Sequence, residues 1–117
     1  MSKVNGWVGV DLDGTLAEYS GWKGPTHIGA PIPMMQTRVL RWLVKGIDVR
    51  IFTARANKLQ PNHDEVIAAI KAWCVEHLNQ ELPITCEKDF QMIQLWEDRC
   101  VQVIPNTGRR ADGINDL

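Results

Sequence analysis

The apolar run Trp7-Val8-Gly9-Val10 ends at Asp11-Leu12-Asp13-Gly14-Thr15. Aromatic and β-branched residues favour a strand, and Asp and Gly favour the turn that closes one. Residues i and i+2 of a strand share a face, so both carboxylates leave the strand end together while Leu12 points into the core. Two acids beside one site are costly unless a cation compensates them. The spacing suits an aspartate nucleophile with an acid/base beside it. Taken alone, the five residues can also be an ordinary strand-end turn.

Strand-like and helix-like segments alternate along the rest of the chain, which predicts an α/β fold with a mainly parallel sheet. The first strand is expected over residues 4–10. Residues 13–32 are expected to be a loop, because Gly14, Gly21, Gly24, Gly29, Pro25 and Pro31 resist regular structure. Pro33 suits a helix start, followed by Met35, Val39, Trp42 and Leu43 at helical spacing, with Gly46 as the C-terminal stop. A second strand over 47–52 delivers Thr53 and Arg55 to its carboxyl end. The next helix is expected from about Asn62, with Asp64 and Glu65 in its first turn and Val66, Ile70, Trp73 and Cys74 on its buried side. Short strands are expected at 84–85 and 92–96, with a last edge strand over 101–104. Ligands of open parallel sheets bind beyond the carboxyl ends of the strands. The chemistry-bearing residues all fall at or just after such ends.

Four segments carry that chemistry: Asp11-Leu12-Asp13-Gly14-Thr15, Ile51-Phe52-Thr53-Ala54-Arg55, Lys88, and Leu95-Trp96-Glu97-Asp98. In order and spacing they resemble the four motifs of the haloacid dehalogenase superfamily, whose members are mostly magnesium-dependent phosphatases. The resemblance runs from about residue 4 to residue 103. It implies a Rossmann-like three-layer sandwich, a single domain over 1–117, and hydrolysis of phosphate monoesters through a covalent aspartyl-phosphate. In these terms Asp11 is the nucleophile and Asp13 the acid/base. Thr53 hydrogen-bonds the transferring phosphoryl group, and Lys88 offsets the charge of nucleophile and phosphate. Gly14, Thr15 and Arg55 stand on the substrate side. Mg2+ is implied as cofactor, with Asp11, Asp13 through its carbonyl, Glu97 and Asp98 as ligands. Glu97 departs from the family's usual Asp-Asp pair, and its extra methylene either shifts the metal or leaves Asp98 as the principal anchor. Lys88 beside Asp89 also has a plain reading as a surface ion pair, and Arg55 one as a solvated arginine.

A strand–helix crossover occupies about half of the chain between Asp13 and Thr53, and a helix and a strand consume that between Arg55 and Lys88. Neither interval leaves room for a cap domain. The loop over 14–32 then becomes the candidate for substrate choice. Tyr19 and Trp22 can stack on a base or sugar and Lys23 can meet a phosphate, or the aromatics can fold back over the core. A small phosphorylated substrate is expected as the partner, nucleotides slightly ahead of sugar phosphates, with a terminal phosphate of a nucleic acid left open.

The net charge of −1 gives no general attraction to nucleic acid or to anionic membranes. No apolar run approaches the roughly 20 residues of a membrane span, and the first residues lack a signal-peptide core, so a cytoplasmic protein is expected. Cys74, Cys86 and Cys100 have no C-x-x-C spacing and read as free thiols. Five tryptophans in 117 residues leave a homo-oligomer open. Two other functions compete. One is a catalytically reduced module that keeps the fold. The other is a receiver-like phosphoacceptor, whose adjacent acids and separate acceptor Asp11-Leu12-Asp13 does not match.

Overall fold

In a computed structural model that describes residues 5–114, the strand leading into the paired acids, β1 (Trp7–Val10), is the only one with parallel neighbours whose chain order reverses. It is followed by α1 (Pro33–Val44), β2 (Asp48–Phe52), a 3-10 turn (Ala54–Ala56), α2 (His63–Leu78), β3 (Ile84–Thr85) and β4 (Met92–Trp96). The sheet order is β3-β2-β1-β4, and every pairing is parallel. The chain steps outward from β1 through β2 to β3, then returns to the other side of β1 as β4. The reversal point lies between β1 and β4, where open sheets of this kind leave a crevice at their carboxyl ends.

Local chemistry places the helix ends. Pro33 occupies the first turn of α1, where its missing N–H costs nothing. Gly46, at φ 79°, takes the left-handed position after α1 and donates its N–H to the Leu43 carbonyl. Asn79, at φ 66°, plays the equivalent part after α2. Both expected helices are thus present within a residue or so of their expected limits.

Val8, Val10 and Leu12 share one face of the sheet with Val49 and Ile51, and pack with Met35 and Val39 of α1 and Val66, Ile70, Trp73 and Cys74 of α2 in a single core. The Gln36 side-chain amide donates to the His77 carbonyl at 2.8 Å, fastening the two helices together on that side. The opposite face has no helix among the described residues, in contrast to the three-layer sandwich expected. The reason is topological. Right-handed crossovers that advance in one direction leave their helices on one face, and the short link from β3 to β4 carries no helix to the other.

Side chains cover that second face instead. Trp7 is only 1% exposed and lies across Gly9, where a Cβ would crowd Trp7, Met92 and Leu95. Its indole N–H donates to Asp89 Oδ1 at 2.8 Å, and the Arg50 guanidinium sits 4.7 Å from its ring centroid. The Trp7 bond, the first of its causes, holds the Asp89 carboxyl below its ordinary value.

Two expected strand limits differ. The first strand starts at Trp7, with Asn5 and Gly6 outside it and Val4 outside the described residues. Residues 101–104 form no sheet strand. Val103 instead bridges antiparallel to Arg110 in a small exposed hairpin.

Trp7→Ala is expected to cost about 3–5 kcal/mol, the range for a buried Trp truncation. Trp7→Phe keeps the packing, loses the bond to Asp89 and is expected to cost about 1 kcal/mol more than the shape change alone. Urea denaturation of both variants checks this; equal losses would mean that the hydrogen bond and not the packing holds the helix-free face.

Candidate functional site

Asp11 follows β1 directly, and its N–H donates to the Trp96 carbonyl at 2.8 Å, so the ladder with β4 runs one residue past the strand. Thr53 follows β2 in the same way, its N–H bonded to the Thr85 carbonyl at 2.9 Å. Asp98 stands just beyond β4. These backbone bonds tie β1 to β4 and β2 to β3 at one end of the sheet. Asp11, Asp13, Thr53, Arg55 and Asp98 line a single cleft of about 950 Å³ there, together with Tyr19 and Trp22.

The turn after β1 fixes the acids. Leu16 and Ala17 donate their N–H groups back to the Leu12 carbonyl, and Gly14 donates to Ala17. Gly14 sits at φ 84°, and a side chain there would collide with the Asp98 carboxylate. Glycine therefore gives the turn its conformation and gives Asp98 its place against Asp11. The Thr15 hydroxyl lies 3.4 Å from Asp11 Oδ2.

Arg55 is 9% exposed and makes a two-point bond with Asp13, Nε to Oδ2 at 2.8 Å and Nη2 to Oδ1 at 2.9 Å. Its Nη1 donates to the Pro25 carbonyl at 3.1 Å, and its guanidinium carbon is 4.9 Å from the Trp22 ring centroid. It is no solvated arginine: it joins the turn after β1, the turn after β2 and the tip of the long loop. The Thr53 hydroxyl oxygen accepts the Arg55 N–H at 3.2 Å, which starts the 3-10 turn and leaves the hydroxyl hydrogen available to the cleft.

The loop over 13–32 has two parts. Its stem is built, with Glu18 bonded to Ala30, Ile32 bonded to Leu16, a bridge between Ala17 and Pro31, and the Trp73 indole donating to the Gly29 carbonyl at 2.9 Å. Its tip carries Tyr19 and Trp22, 50% and 61% exposed. The reading in which Trp22 folds back over the core is therefore set aside; the ring stands over Arg55 at the cleft. Lys23 lines an adjoining hollow with Asp13, Tyr19 and Arg55.

Two expected residues stand apart. Lys88 is exposed, does not line the cleft and makes no ion pair among the described residues, so its plain reading as a partner of Asp89 is not met either. Glu97 is exposed and off the cleft lining, although its charge still acts on Asp11. Asp98 is thus the member of that pair beside Asp11. Sequence reasoning missed Gln60, Asn62 and Arg99 as lining residues. The signal for the first two was their place between a strand end and a helix start on the ligand side of the sheet.

Burial first, then the negative charges of Asp98 and Glu97 and a hydrogen bond with Asp98, push the Asp11 carboxyl up to about 6, against a smaller opposing effect from the Leu12 N–H. Arg55 is committed to Asp13, and among the described residues no ion pair is made to Asp11 or Asp98. Among the described residues no three His, Cys, Asp or Glu side chains form a ready-made metal set. A small hard cation that keeps most of its waters needs fewer: paired carboxylates and backbone oxygens suffice. The donor chemistry of Asp11 and Asp98 fits such an ion.

Comparison of the chain with family models, with curated proteins and with solved structures finds no match.

Asp11 has a folded-state value near 6, above its ordinary 3.8, so the folded chain holds that proton more tightly than the unfolded one. The resulting stability is full below the unfolded value and is lost as pH rises through the folded one. Asp11→Asn is therefore expected to raise stability at about pH 7.5 by ~1–2 kcal/mol after allowing for solvent screening, roughly 4–8 °C in Tm, and to leave it unchanged near pH 3.5. Thermal melts without divalent cations at both pH values check this. A variant no more stable than the wild type at neutral pH would mean that Asp11 is not under electrostatic load.

Proposed function

We propose that the protein is a magnesium-dependent phosphomonoester hydrolase that works through an aspartyl-phosphate on Asp11. The observation that carries this reading is the convergence of Asp11, Asp13, Thr53 and Asp98 on one cleft at the carboxyl ends of parallel strands. Folding alone gives no reason to gather three carboxylates there, since like charges are destabilising.

In the first step an Asp11 carboxylate oxygen attacks phosphorus, and the bond from phosphorus to the ester oxygen breaks. The leaving oxygen takes its proton from Asp13. In the second, Asp13 removes a proton from water as that water attacks phosphorus, the bond to Asp11 breaks, and inorganic phosphate is released. The Thr53 hydroxyl donates to a phosphoryl oxygen. Asp11 and Asp98, with the Asp13 carbonyl, would hold Mg2+, which when bound supplies positive charge to the phosphoryl oxygens.

Arg55 adds a requirement. An oxygen of Asp13 that accepts a guanidinium N–H has to be released before it can carry a proton, so the Asp13–Arg55 pair must loosen once the phosphoryl group enters. A phosphate dianion offers the guanidinium an alternative partner of the same geometry. The position of Lys88 favours a second reading, the catalytically reduced binding module, because the expected cation is not at the cleft.

Hydrolysis of p-nitrophenyl phosphate with and without Mg2+ separates the two. Magnesium-dependent turnover is expected in the wild type, with less than about one thousandth of it in Asp11→Asn. Lys88→Ala is expected to lose less than about tenfold, since its ammonium stands off the cleft. Activity retained by Asp11→Asn would exclude the covalent route. A folded wild type without turnover on any monoester would favour the module.

A further inference from the structure

The cleft is much larger than a phosphate group, and its lining is of two chemical kinds. Carboxylates and Thr53 make one part of it, and Tyr19, Trp22, Gln60, Asn62 and Arg99 make another. We infer that this second set forms a nucleobase subsite and that the substrate class is a nucleoside monophosphate; the identification of the reacting group rests on the phosphatase reading above.

Trp22 is the first support. A tryptophan that serves packing is buried, as Trp7 and Trp73 are, yet Trp22 is 61% exposed. It is nonetheless held in place, because its ring stacks against Arg55, which is itself nearly buried and doubly bonded to Asp13. An exposed aromatic face lying against a guanidinium that is bonded to Asp13 is one on which a planar ring can stack. Tyr19, half exposed on the same loop, lines the same cleft.

The amides are the second support, independent of the first. Gln60 and Asn62 line the cleft as exposed residues, and neither makes a side-chain hydrogen bond among the described residues. Asn62 occupies the N-cap of α2, where its side chain would ordinarily bond to the helix. Here its backbone is left-handed, at φ 63°, and no cap bond forms. Each free amide offers a donor and an acceptor side by side, the pattern that matches the edge of a base. A sugar phosphate can use the amides and lay C–H groups on an aromatic ring, but it has no planar π face to stack. A simple aromatic phosphate would do the reverse. A nucleotide uses both.

The test compares kcat/KM for AMP, GMP and ribose 5-phosphate in the wild type, Trp22→Ala and Trp22→Phe, with Mg2+ present. Trp22→Ala also removes the stacking partner of Arg55, and taking the ratio of nucleotide to ribose 5-phosphate cancels that shared effect. The wild-type ratio is expected to favour a nucleotide by about 5- to 100-fold, the equivalent of ~1–3 kcal/mol of base stacking. Trp22→Ala is expected to bring the ratio near one, and Trp22→Phe to restore most of it. Ribose 5-phosphate used as well as the nucleotides, or a preference untouched by Trp22→Ala, overturns the inference while the phosphatase reading stands. If no ester is hydrolysed, that reading falls and calorimetric titration of AMP and GMP decides the subsite. Binding by the wild type that is lost in Trp22→Ala upholds it, and no binding by the wild type overturns it.

Discussion

The two parallel ladders that grip β1 are the constraint on which the rest depends. β1 is buried along its whole length and is paired to β2 on one side and β4 on the other. A strand in that position has no freedom of register, because a slip of one residue would exchange Val8 and Val10 for Trp7 and Gly9 against the helices. Fixing the register of β1 fixes where Asp11 leaves the sheet. The bond from Asp11 N–H to Trp96 then fixes β4 relative to it, and with β4 the position of Asp98. Two acids far apart in sequence become neighbours through backbone geometry, with no need for attraction between their side chains.

The second organising contact is the Asp13–Arg55 pair. A buried charge pair is weak evidence of stabilisation, since desolvation offsets much of the attraction, but losing one partner leaves the other buried and uncompensated. Its effect here is better described as geometric. The two-point bond allows one mutual orientation of the turns after β1 and β2, and the further bond to the Pro25 carbonyl draws the loop tip over the same spot. Trp22 stands where it does because Arg55 does. The loop that sequence composition suggested to be irregular is thus tied at its stem by backbone bonds and at its tip by one guanidinium.

Much of this was legible in the sequence, for particular reasons. Strand-to-helix alternation gave the order of elements, and Pro33, Gly46 and the acids at 64 and 65 marked helix ends through local chemistry that tertiary structure had no cause to override. The clustering of Asp11, Asp13, Thr53 and Asp98 followed from their places at strand ends in a parallel sheet. Three things were not legible. Arg55 was expected on the substrate side or as a solvated arginine, but not as the partner of Asp13, because a long-range pairing leaves no local pattern. The bare second face was hidden because Trp7 looks the same in sequence whether a helix or its own neighbours cover it. Lys88 occupied the expected position along the chain, but the stretch after the two-residue strand β3 has few backbone bonds to aim its side chain.

Charge balance connects these observations to chemistry. The cleft brings together three carboxylates and the guanidinium of Arg55, with Arg99 at its lining, and the guanidinium is already spoken for by Asp13. Asp11 carries the consequence, a carboxyl held up near 6 by burial and by its acidic neighbours. On the phosphatase reading Asp11 acts as its carboxylate, and the raised value means that ionising it costs more here than in water. On that reading a hard cation between Asp11 and Asp98 would lower the cost of ionising Asp11, and a phosphate arriving with it would compete for Arg55 and free Asp13. Each event would make the next less costly, so the like charges that the fold gathers at one sheet end would be answered by the ligands rather than by a neighbouring side chain.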